Sequence, residues 1–214
     1  MKKVAIKIIC CLAIMSLIAS CGQEEKGIDC SLVYGTLVDP RDGSRYSTVT
    51  VCDAVWMTQN LRYEVPGVLK DPIALGVEYG VLYNFEQAKV ACPENWHLAR
   101  DEDWKTLESV LGMSEEEGAG TGWRGDEIGE HLKSSIQWQK GKKGAAPISF
   151  RALPAGYSDG SSYQGVEKEA RFWTASEVDA ETAWIRGLEI GQKKVKRSAE
   201  KKTDYNSCRC VLDE

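Results

Sequence analysis

Apolar and polar positions alternate in two stretches between residues 32 and 51. Leu32 to Val38 and Tyr46 to Val51 are rich in Val, Thr and Tyr and read as strands. Between them Asp39-Pro40-Arg41-Asp42-Gly43 is a turn cluster. A hairpin centred on Arg41 sets Val33 opposite Val49, Tyr34 opposite Thr48 and Cys30 opposite Cys52. Ala54 to Arg62 is a further strand-like stretch, and residues 64 to 80, with Pro66, Pro72, Gly67 and Gly76, read as a loop.

Helical spacing then takes over. Asn84 to Ala91 predicts a short helix that Asn84 caps, with Gln87 three residues on completing a capping box. Residues 101 to 111 (DEDWKTLESVL) predict a second helix, with Asp101 as cap and Trp104, Leu107, Val110 and Leu111 on one face. A Gly-rich irregular region covers 112 to 147, with one helical turn near Ile128 to Ser134. Short strand-like pieces follow at 148 to 153, 170 to 175, 182 to 189 and 206 to 212. The basic run QKKVKRSAEKK at 192 to 202 reads as a strand-to-strand hairpin with a solvated charged tip. Strands outnumber helices and the helices fall early, so the fold class is α+β.

Residues 1 to 20 stand apart. Lys2, Lys3 and Lys7 precede an apolar run from Ile8 to Ala19, which is shorter than the about 20 residues a membrane-spanning helix needs. Small residues then lead to Cys21, the pattern of a secretory signal peptide. Leu17-Ile18-Ala19-Ser20-Cys21 resembles a bacterial lipobox, which implies acylation of Cys21 (palmitate among the chains) and cleavage before it. Several acyl chains hold a domain at a membrane, since each buried methylene contributes about 0.8 kcal/mol. Gly22 in place of Asp lacks the common inner-membrane retention signal, and Gln23-Glu24-Glu25-Lys26 resembles acidic surface-export tags. The expectation is an outer-membrane, lipid-anchored protein: signal peptide 1 to 20, tether 21 to 29, one domain 30 to 214.

Composition narrows the classes. The net charge is -5, from 27 basic and 32 acidic residues. Loss of the three leader lysines leaves 24 basic against 32 acidic, or -8, which argues against nucleic acid as a partner. Eight Cys with two His fit an oxidising compartment better than a His-rich metal site.

Eight motifs in order carry a resemblance. They are Asp39 to Gly43 with Tyr46 and Val49; Trp56-Met57-Thr58-Gln59-Asn60-Leu61; Gly80-Val81-Leu82-Tyr83; Cys92 to Leu98 with Trp104; Leu132-Lys133-Ser134 with Trp138; Phe150 to Tyr157; Phe172 to Glu177; and Ser207-Cys208-Arg209-Cys210-Val211. Together they resemble the Fibrobacter succinogenes major paralogous domain over about residues 34 to 214. That family is grouped with C-type-lectin-like folds, which include formylglycine-generating sulfatase modifiers. The resemblance implies a small twisted antiparallel sheet, two helices and a long irregular loop region, and no particular activity. It also implies a long-range disulfide between Cys92 and Cys210. Departures are Val81 for an Arg, Asn95 for a Gly and Ala99 for a Pro, and Cys52 and Cys208 stand where the family usually has Gly and an apolar residue.

The hairpin register gives Cys30 with Cys52 as a second bond, with Cys52 to Cys208 as its rival. A metal site from Cys92, His97, Cys208 and Cys210 has little support in its spacing, His97 reads as a core residue, and neither metal nor cofactor is expected. No catalytic residue is assigned, and the chain leans towards a non-enzyme; a thiol oxidoreductase using Cys208 and Cys210 is the enzymatic alternative, and a structural envelope component the third. Arg124-Gly125-Asp126 spells an integrin-type tripeptide that three residues reach cheaply by chance. Trp123, Trp138, Tyr157 and Tyr163 fall in or beside Gly-rich loops, where aromatic faces stack on sugar or anchor a protein. They are the expected contacts to a carbohydrate or protein ligand at the cell surface.

Overall fold

The computed structural model describes residues 31–70, 79–136, 138 and 148–213. Residues 1–30, with the expected signal peptide and tether, Cys21 and Cys30, lie outside the described residues. Among those described, no helix is long and apolar enough to cross a membrane.

Two antiparallel sheets organise the chain. The first contains β1 (Val33–Val38), β2 (Arg45–Val51), β3 (Ala54–Met57), β6 (Trp96–Leu98) and β13 (Cys210–Leu212), in the order β1-β2-β3-β13-β6. The two-residue strands β4 (Leu69–Lys70) and β5 (Val81–Leu82) pair beside it. The second contains β7 (Gly122–Arg124), β10 (Glu169–Glu177), β11 (Thr182–Glu189) and β12 (Val195–Lys201), in the order β10-β11-β12-β7. The pair β8 (Tyr157–Ser158) and β9 (Tyr163–Gln164) lies in between in sequence. The helices are α1 (Phe85–Ala91), α2 (Asp101–Val110), α3 (Glu115–Ala119) and α4 (Ile128–Leu132). The α+β class holds, with more sheet and more helices than the two expected.

The β1–β2 hairpin differs from the expected register by one residue. Val33 pairs with Thr50 and Tyr34 with Val49. The cause is the turn: Asp39 N–H donates to Ser44 O, and Gly43 N–H to Asp39 O, closing an even loop with Gly43 at φ +74°. Asn84 does cap α1, and the box with Gln87 forms in both directions. Asp101 does not cap α2; Arg100 holds that position, and Asp101 turns inward as the first helical residue. The helical turn expected near Ile128 forms as α4, and region 112 to 147 also holds α3 and β7, which were not expected. Residues 148 to 153 form no strand beyond a bridge from Ala152 to Lys133. The basic run at 192 to 202 is largely β12, an interior strand whose Val195 and Arg197 are buried.

Two apolar clusters lie on opposite faces of the first sheet. Val49, Trp56 and Val211 meet Trp104 and Leu107 of α2, with Phe150 and Phe172. Ring centroids of Trp56, Trp104 and Phe150 stand 5.2–5.7 Å apart at steep angles. On the other face Tyr46, Met57 and Leu98 meet Phe85 and Ala88 of α1, with Trp173 and Ile185 from the second sheet. The Cys92–Cys210 disulfide ties the end of α1 to β13. In the chain-entropy model a closed loop of this size stabilises by about 4–5 kcal/mol.

Candidate functional site

Charge is buried beneath α2. Arg186 donates to Glu108 at 2.6 Å and to Asp101 at 2.7 Å; Arg197 grips both oxygens of Asp101 at 2.8 Å. Arg124 forks onto Glu108 at 3.1 and 3.2 Å. Burial works against an ionised Asp101, yet Arg197, Arg186 and Lys105 hold its carboxyl well below the usual range. This network fixes α2 to the inner face of the second sheet. It also removes Arg124 from any presented Arg-Gly-Asp tripeptide, because its guanidinium is enclosed.

The other face of that sheet is open over part of its area. Strand pairing sets Arg171 opposite Gly187, Gly187 opposite Lys196 and Lys196 opposite Trp123, one row across all four strands. Glu169 and Glu189 form the next row. Gly187 carries no side chain, so its neighbours stand as walls around a cleft of about 230 Å³ lined also by Ile185. A Cβ at Gly187 would come within 3.2 Å of the Lys196 stem. Arg171 pairs with Glu169 at 3.0 Å and Glu200 at 3.3 Å, and its guanidinium lies 3.2 Å from the Tyr157 ring centre. Burial raises the pKa of Glu200 above the ordinary carboxylate value. Lys196 and Glu189 make no ion pair among the described residues.

The four expected contact aromatics therefore separate. Trp123 lines the cleft, and Tyr157 braces its Arg171 wall. Tyr163 lies elsewhere, with its hydroxyl donating to the Lys70 carbonyl. Trp138 is a correction: it is 4% exposed, packs in the core and donates to Ala152 O at 3.2 Å. Its polar surroundings in sequence hide the apolar cluster it joins, which also holds Ile148 and Phe150. The sequence reading missed Glu169, Arg171, Gly187, Glu189 and Lys196, because only strand register brings them together.

The thiols are arranged for structure. Cys210 is bonded to Cys92, and Cys52 is disulfide-bonded as well. The expected partner Cys30 lies outside the described residues, and the rival Cys52–Cys208 bond is excluded because Cys208 is free. Cys208 is buried, and burial pushes its thiol well up, the reverse of the activation a redox cysteine needs. His97 is not a core residue: half-buried, it bridges Asp213 at 2.7 Å and Asp103 at 3.0 Å. No group of three His, Cys, Asp or Glu among the described residues is placed to hold a metal ion.

Between the two cores, Arg209 donates to Asn60 Oδ1 and to the carbonyls of Met57, Phe150 and Arg151. It thereby joins the Trp56–Leu61, Phe150–Tyr157 and Ser207–Val211 segments at one point. A family model, the Fibrobacter succinogenes major domain, matches residues 49–212. The chain belongs to this family. Neither a curated protein nor a solved structure matches it. The Fibrobacter succinogenes major domain here takes in the first sheet from the end of β2 onward, the whole second sheet, the buried charge network and the cleft.

Proposed function

We propose that this protein is a non-enzymatic binding protein, held at the outer membrane by acylation of Cys21, whose C-type-lectin-like domain takes a carbohydrate or protein ligand at the cell surface. The observation that carries the reading is the Arg171-Gly187-Lys196-Trp123 row, where a missing side chain opens a cleft beside a half-exposed indole. A rigid sheet presents that indole, so little side-chain order is lost on binding. The buried thiol and the paired Cys210 favour binding over redox chemistry.

Two measurements test it. Full-length protein in detergent, applied to a glycan array and to envelope protein extracts, should retain a ligand that Trp123→Ala loses; retention of none overturns the binding role. Labelled palmitate should enter the wild type and not Cys21→Ser; equal labelling of both overturns the anchor.

A further inference from the structure

We infer that the ligand of this cleft is an acidic saccharide, a uronic acid-bearing glycan whose carboxylate is met by Lys196 while its ring lies on Trp123. The inference rests on the binding role proposed above and adds the chemical class.

The cleft has two chemically different ends. Lys196 and Trp123 are direct neighbours across β12 and β7, so their side chains leave the same face of the sheet and both line the cleft. Neither has a hydrogen-bond partner among the described residues. The other end carries Glu169 and Glu189, paired across β10 and β11. Arg171 adds no free positive charge, since Glu169 and Glu200 both pair with it. Lys196 makes no direct ion pair among the described residues, although its charge also acts on Glu200, and it adjoins Trp123, the aromatic residue that lines the cleft. A carboxylate gains a charge-assisted hydrogen bond there. The Glu189 carboxylate accepts hydrogen bonds from hydroxyls at the opposite end. A uronosyl ring has these parts in this order: a carboxylate, an apolar ring face and hydroxyls.

The floor favours a sugar over a peptide. Gly187 pairs with strands on both sides, as does Lys196, so the floor's backbone is committed to the sheet. It offers no free ladder of N–H and C=O groups to an added strand. Recognition falls to side chains. Four strands at about 4.8 Å spacing make the row about 14 Å from Arg171 to Trp123, long enough for more than one sugar ring.

The test uses full-length protein in detergent with three probes: a galacturonate trisaccharide, its methyl ester and an acidic peptide. The free acid should bind at least ten-fold more tightly than the ester, and added salt should weaken it. Lys196→Gln should bring the acid down to the level of the ester, with the thermal midpoint of the protein unchanged. Equal binding of acid and ester, both lost in Trp123→Ala, overturns the acidic class and leaves the binding role standing. Preference for the peptide overturns the sugar assignment. Binding of the acid that neither Trp123→Ala nor Lys196→Gln alters overturns the cleft itself. No binding of any probe, while the protein still retains another ligand on the array, overturns the inference alone; no ligand in either assay overturns both.

Discussion

Asp101 at the start of α2 and Arg197 in the middle of β12 meet through two parallel 2.8 Å hydrogen bonds, although 96 residues separate them. Both are buried, and Arg186 shares the same carboxylate. Removing one member of such a set leaves charge without compensation. Asp101→Asn should cost about 3–5 kcal/mol at neutral pH, read as a lower urea midpoint.

The same pair sets an acid limit. Arg197, Arg186 and Lys105 overcome burial to depress the folded pKa of Asp101, while the unfolded chain titrates near about 3.9. A depressed carboxyl stabilises the fold above the unfolded value, and that contribution fades as pH falls through the folded one. The stability gap between wild type and Asp101→Asn should therefore be constant from pH 7 to about 5 and shrink below about 4. Urea titrations at stepped pH measure it; a gap that grows in acid contradicts the assignment.

Arg209 is fully enclosed and has only neutral acceptors around it. Burial pulls its pKa down to about 9, which leaves it charged at neutral pH. Its planar fork reaches four acceptors at once, which a single ammonium cannot. Arg209→Lys should lose about 2–4 kcal/mol despite keeping the charge, measured by thermal or urea unfolding.

Trp123 and Trp138 should give opposite phenotypes. Trp138→Ala empties a core position and should cost about 3–5 kcal/mol. Trp123→Ala, on the open face, should change stability by less than about 1 kcal/mol and abolish ligand retention. Parallel melts and binding curves distinguish them.

Cys208 should be silent in the native state. Comparison of wild type with Cys208→Ser should give no difference in native thiol labelling and a difference of one thiol in denaturant. Native labelling at Cys208 would restore the redox alternative.

What could be read from the sequence follows the range of the interaction. The Asn84–Gln87 box is complete within four residues and was legible. The family motifs were legible too, and the Cys92–Cys210 bond came with them. The hairpin register was not, because it turns on whether the Asp39–Ser44 loop closes on an even or odd count. Lys193 to Lys202 reads as solvated charge, and only Asp101, far upstream, makes Arg197 an interior residue. The cleft was half legible: Trp123 declared itself by its glycine neighbours, whereas Lys196 and Arg171 needed the pairing of four strands.

Cys92 and Cys210 are 118 positions apart, and the whole second sheet lies between them. A protease that cuts once anywhere inside that span yields two pieces still covalently joined, with α1 and β13 in register. In a protease-rich extracellular setting a nicked molecule would remain one particle, and only a reductant would release the halves.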